Sequence, residues 1–133
     1  MIAVPFSFPI RVYWEDTDAG GVVYHGSYVR FLERARTEWL RAGGVGQQDL
    51  RAAEDVVLAI RDMTLDFRSP ARLDDELQVS VVMTERRAAS LVVAQEISRG
   101  DRVLVAAVVR VACLTASTFR PRPLPEWLAA NTH

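Results

Sequence analysis

The chain has 133 residues, half of them apolar and a quarter charged, which fits one globular domain over residues 1–133 and excludes a disordered tail protein. Sixteen basic residues against seventeen acidic ones leave a formal charge of −1, without the basic excess of a nucleic-acid binder. Every basic residue is Arg; with no Lys, two His and one Cys, the composition excludes lysine Schiff-base and Walker-type chemistry, a zinc finger and a disulfide framework.

Met1–Ile10 carries no positive region ahead of its apolar residues, and Pro5 and Pro9 interrupt it, so it does not read as a secretory signal. Ile10–Trp14 alternates and is rich in strand formers, which predicts a first strand. Glu15–Gly21 is a polar turn ending in paired glycines. Ser27 then reads as the N-cap of a helix of about 15 residues. Tyr28, Phe31, Leu32, Ala35, Trp39 and Leu40 fall at helical spacing on its core face, and Gly43-Gly44 provide the stop.

From there the pattern is sheet. Val56–Ile60 is a short apolar run, and Met63–Phe67 alternates until Ser69-Pro70. Leu77–Met83 alternates as well, and Leu91–Ile97 runs into a hairpin turn at Ser98–Asp101. Val103–Leu114 is apolar on both faces, hence a central strand or one at a subunit interface. The tail is punctuated by proline from Pro121 to Pro125, and Glu126-Trp127-Leu128 reads as a last short turn. The order is strand, loop, one long helix and four strands in antiparallel succession. This is an α+β architecture whose sheet buries one face on the helix and leaves an apolar edge or face, such as Val103–Val109, for a second copy. No stretch is long enough for a membrane span. The single Cys113, within an apolar run, points to inert core and to a reducing cytoplasm.

Chemistry concentrates in the loop before the helix, at Glu15, Asp16, Asp18 and His25. The first amide groups of a helix have no intrahelical partner and carry the positive end of its dipole. A carboxylate, an imidazole and such a donor-rich helix start suit acyl-group hydrolysis. Acidic loops before helices are also ordinary solvated caps, and spacing alone leaves both readings open. A serine nucleophile is disfavoured, because His25-Gly26-Ser27-Tyr28 lacks the Gly-x-Ser-x-Gly elbow.

The run Arg11–His25, continuing through Tyr28-Val29 and Glu33–Glu38 and resuming at Met63-Thr64, Pro70–Asp75 and Ser90-Leu91, resembles the hotdog-fold acyl-CoA thioesterases. Within them it is most similar to the Tol-Pal-associated branch of the 4-hydroxybenzoyl-CoA thioesterase family. The resemblance implies a curved antiparallel sheet around one helix, assembled as a homodimer or homotetramer with active sites at the subunit boundary. It implies Asp18 as nucleophile or general base on water, and a backbone N–H at His25 as oxyanion donor, with the His25 side chain also catalytic. Trp14 stands where the branch commonly has Tyr, offering a ring N–H without an acidic hydroxyl. Val22, Val23 and Tyr24 then line an acyl pocket beside Trp14. The phosphates of CoA need cations that only Arg can supply, and Arg86 and Arg87 are the expected pair, with Arg68 and Arg72 behind them. No metal or redox cofactor is required. The rival readings are a hotdog hydratase or acyl-carrier-protein-directed enzyme, and a binding module that recruits acyl-carrier protein or lipid-synthesis enzymes with little turnover.

Overall fold

The computed structural model describes residues 6–44, 46–126 and 128. Strand β1 (Phe6–Arg11) leads through a 3₁₀ turn at Trp14–Asp16 to helix α1 (His25–Ala42), helix α2 (Gln47–Glu54) and strands β2 (Val56–Phe67), β3 (Glu76–Arg86), β4 (Ser90–Arg99) and β5 (Arg102–Thr115). The strands form one antiparallel sheet in the order β1-β3-β4-β5-β2. This is the hotdog architecture that the resemblance implies.

The core follows from two periodicities meeting. The helical-spacing set Tyr28, Phe31, Leu32, Ala35, Trp39 and Leu40 is buried on one face of α1. Alternate residues of the sheet, among them Leu77, Val79, Val93, Ile97, Val105 and Val109, are buried with them. Each fully buried side chain of this size contributes about 1.5–3 kcal/mol. Gly43 ends the helix by donating to the Trp39 and Leu40 carbonyls, and Gly44 turns the chain at φ +96°, a region closed to most side chains.

Several expectations need correction. The first strand lies at Phe6–Arg11 rather than 10–14, with Pro9 inside it. Pro9 is tolerated because β1 is an edge strand, where a missing N–H costs no ladder bond on the open side. Helix α1 begins a turn earlier than Ser27: Tyr24 is its N-cap, and the Ser27 N–H closes the first turn on the Tyr24 carbonyl. Helix α2 was not expected, since only Leu50 is buried in its eight residues and the apolar period is too short to register. Val56–Ile60 and Met63–Phe67 are one strand, interrupted by a bulge between Ile60 and Asp62.

The succession of strands is also different, because β2 pairs with β5 and not with β3. That makes β5 interior and β2 the second edge. Val103–Val109 therefore offers no edge, although Val108 is exposed on the sheet, with Ala94 between it and exposed Val82. Of the last turn, Trp127 lies outside the described residues.

Candidate active site

The three acidic residues before α1 stand in different surroundings. Asp16 is buried, and its carboxylate accepts the Tyr13 N–H at 2.9 Å and lies 3.7 Å from the Arg30 guanidinium. Its carbonyl accepts the Tyr24 N–H at 2.8 Å and the Ser27 hydroxyl at 3.1 Å. Asp16 thus ties the loop to the first turn of the helix and is spent on structure. Glu15 is exposed.

Asp18 is exposed as well, on a tight turn. Its Oδ1 accepts the Gly20 N–H at 2.8 Å, its N–H donates to the Val22 carbonyl at 2.9 Å, and its carbonyl accepts the Gly21 N–H at 3.1 Å. Gly21, at φ +81°, allows that return. Thr17 and Val23 then pair across the turn as an isolated antiparallel bridge, about 5 Å apart. The turn therefore holds Asp18 on one arm, and the other arm runs straight into the start of α1.

At that start, the His25 and Gly26 amides have no backbone acceptor among the described residues. They sit at the positive end of an 18-residue dipole. The Tyr24 and His25 rings lie 4.4 Å apart between centroids. A Cβ on Gly26 would fall 2.7 Å from the Tyr24 ring, so glycine here keeps the helix mouth open while the ring lies over it.

A polar clamp that the sequence did not announce fixes the far arm. Ala71 donates its N–H to the Tyr28 hydroxyl at 3.0 Å and accepts the Val23 N–H at 2.9 Å on its carbonyl. Burial raises the Tyr28 pKa, opposed by the Ala71 bond and Arg99 and reinforced by the charges of Asp75 and Asp18. The carboxyl of Asp75 is raised by burial but held lower overall by the Arg72 N–H and by Arg99, whose guanidinium lies 2.6 Å away. Tyr28 was expected only as core, because helical spacing reports which face a ring occupies and not what its hydroxyl meets.

The other expected residues are distributed as follows. Trp14 is 79% exposed, on the open side of a shallow cavity of about 390 Å³ that it shares with Tyr13 and Leu73. Val22 is half-buried, Tyr24 exposed, and Val23 belongs to the core at 3% exposure. Arg86 and Arg87 are not brought to this loop within the chain. Glu76, beside Arg11, is at the loop end of β3, and Arg86 closes the strand about 30 Å further on; Arg87 is engaged by Glu85 at 2.9 Å. Arg68 and Arg72 lie at the near end, around the Ala71 clamp. Cys113 is buried, and burial raises its thiol pKa. Among the described residues no three His, Cys, Asp or Glu converge as a metal site.

Comparison with known proteins places the chain in a family. The profile of the thioesterase-like superfamily matches residues 12–132. The chain belongs to the thioesterase-like superfamily. An acyl-CoA thioester hydrolase, YbgC, from Escherichia coli O6:H1 is 48% identical over 127 residues, covering 95% of this chain and 94% of the relative. A probable thioesterase from Bartonella henselae superposes with a TM-score of 0.88 at 34% identity, over 92% of this chain and all of that one. A 1,4-dihydroxy-2-naphthoyl-CoA thioesterase from Synechocystis gives a TM-score of 0.89 at 26% identity, over 97% and 96% of the two chains. In this thioesterase-like chain, then, the Asp18 turn and the α1 start stand on the fold shared with those enzymes. No helix among the described residues is long and apolar enough to cross a membrane.

Proposed function

We propose that the protein hydrolyses acyl-CoA thioesters to a carboxylic acid and CoA, with Asp18 and the α1 start as its catalytic parts. The observation that carries this reading is one turn that presents an exposed carboxylate on one arm and the unspent His25 and Gly26 amides on the other. The 48% identical relative named for this reaction supports it.

As general base, Asp18 takes a proton from water while the oxygen attacks the thioester carbon. The carbonyl oxygen gathers negative charge against the amides, and collapse expels the thiolate of CoA. As nucleophile, Asp18 itself attacks, forming an anhydride and releasing CoA before water cleaves the anhydride. The backbone serves both routes, and the His25 imidazole, exposed beside it, orients the water or the carbonyl. Trp14, Val22 and Tyr24 form the approach, with Val23 buttressing them from the core.

A second copy completes the site in this reading. Of the two sheet edges among the described residues, β1 contains Pro9, whereas β2 runs for twelve residues without proline and exposes Ile60 and Phe67. An open strand of that length is a template for pairing. Antiparallel pairing of β2 with its copy sets the Arg86–Arg87 end of one chain toward the loop end of the other, where the phosphates of CoA would lie. Raised KM for the pair Arg86→Ala, Arg87→Ala, with KM unchanged for Arg68→Ala, Arg72→Ala, is the outcome expected; the reverse assigns the phosphates to the near pair.

Thiol release across short, long and aromatic acyl-CoAs, with acyl-carrier-protein thioesters alongside, tests the activity itself. Turnover of at least one acyl-CoA is expected. Release from no substrate makes the chain a recruiting module instead.

A further inference from the structure

The cavity between α1, α2 and the sheet has a cationic floor. Arg36 is 8% exposed, with Nη1 donating to Gln95 Oε1 at 3.0 Å, and Gln95 Nε2 donating to the Leu32 carbonyl at 3.1 Å. Among the described residues no carboxylate lies within ion-pair distance of Arg36. Burial lowers its pKa, and the charge of Glu33 partly opposes this. A buried guanidinium whose one hydrogen-bond partner among the described residues is neutral is costly, and such groups are ordinarily matched by an anion.

The unspent donors are not sealed in. Among the described residues no buried side-chain nitrogen or oxygen lacks a partner. The remaining guanidinium nitrogens are therefore reached by solvent, and Arg36 lines a cavity of about 240 Å³. Its walls are apolar, from Leu40, Leu58, Leu91 and Val111, and Gln47 and Thr37, bonded to each other at 3.0 Å, line its polar side with Glu33. Along the helix it lies about 16 Å from His25, so it is not the site described above.

We propose that this cavity binds a small organic acid with an apolar body, its carboxylate held by Arg36. The volume is too small for a peptide, the walls favour hydrocarbon, and the unspent donors on the floor are cationic. The inference does not rest on hydrolysis, although a carboxylic acid is what such a reaction releases.

The test is calorimetric titration of the whole protein with hexanoate, and with hexanamide as its uncharged analogue. Saturable binding of hexanoate is expected, roughly tenfold or more tighter than hexanamide. Arg36→Met should lose that preference while keeping or raising the Tm, since an unmatched buried charge gives way to an apolar side chain. Leu58→Trp, which fills the cavity from a half-buried position and leaves Arg36 intact, should abolish binding. Equal binding of the two ligands, a preference that survives Arg36→Met, or hexanoate binding that survives Leu58→Trp overturns the proposal. So does a fall in molecular mass of Arg36→Met by light scattering, which would show that a carboxylate of a second copy answers the charge.

Discussion

Replacing Tyr28 by Phe removes one oxygen atom and leaves the ring where it packs, edge-on to Phe31 at 6.1 Å. The loss falls on Ala71, which is fully buried and whose N–H has the hydroxyl as its partner. Stranding a buried donor costs about 1–3 kcal/mol. For a chain of this size, that lowers the Tm by about 3–10 °C. Because the Ala71 carbonyl accepts the Val23 N–H, the arm that leads into His25 also loosens, and kcat should fall with KM little changed. The pH dependence adds a signature. Burial raises the Tyr28 pKa in the folded state, so its contribution is fully present below the unfolded value near 10. It is lost as pH rises through the higher folded value, and wild type should lose more stability there than Tyr28→Phe. Scanning calorimetry at neutral and alkaline pH, with thiol-release kinetics, reads all three. A Tm within about 1 °C of wild type refutes the clamp.

Three further outcomes follow from the geometry. His25→Ala should lower kcat less than loss of the Asp18 charge does, because the backbone donor survives the change; a greater loss at His25 in thiol-release kinetics would assign the work to the imidazole. Gly26→Ala places a Cβ 2.7 Å from the Tyr24 ring, which is exposed and free to swing away. The variant should fold normally by circular dichroism yet turn over roughly tenfold more slowly as the helix mouth is crowded. Cys113, buried and with a raised pKa, should resist thiol reagents in the native protein and react only on unfolding, as a time course with a chromogenic disulfide would show.

The sequence made the helix face legible because six core residues repeat at its own period, and the later strands because Met63–Phe67 and Leu77–Met83 alternate while Val103–Leu114 is apolar on both faces. Their pairing was not legible. Alternation fixes which face a strand buries but not its neighbour, and nothing local distinguishes β2 at the edge from β2 beside β3. Helix α2 escaped because Leu50 alone anchors it. In the site, the residue types of the Asp18 turn were readable and the resemblance singled out Asp18, but the burial of Asp16 was not legible. It depends on which carboxylate meets the Tyr13 N–H, a contact created by the 3₁₀ turn. The distance between Arg86 and the loop was equally hidden, since it follows from the direction of β3.

The central claim is that the charge of Asp18 drives hydrolysis. Asp18→Asn is the sharpest probe, because the amide oxygen still accepts the Gly20 N–H that closes the turn, while the group can no longer act as base or nucleophile. Steady-state thiol release by this variant, with its Tm recorded beside wild type, should show an unchanged transition and a kcat reduced roughly a hundredfold or more. Turnover close to wild type in a normally folded Asp18→Asn protein would contradict the account.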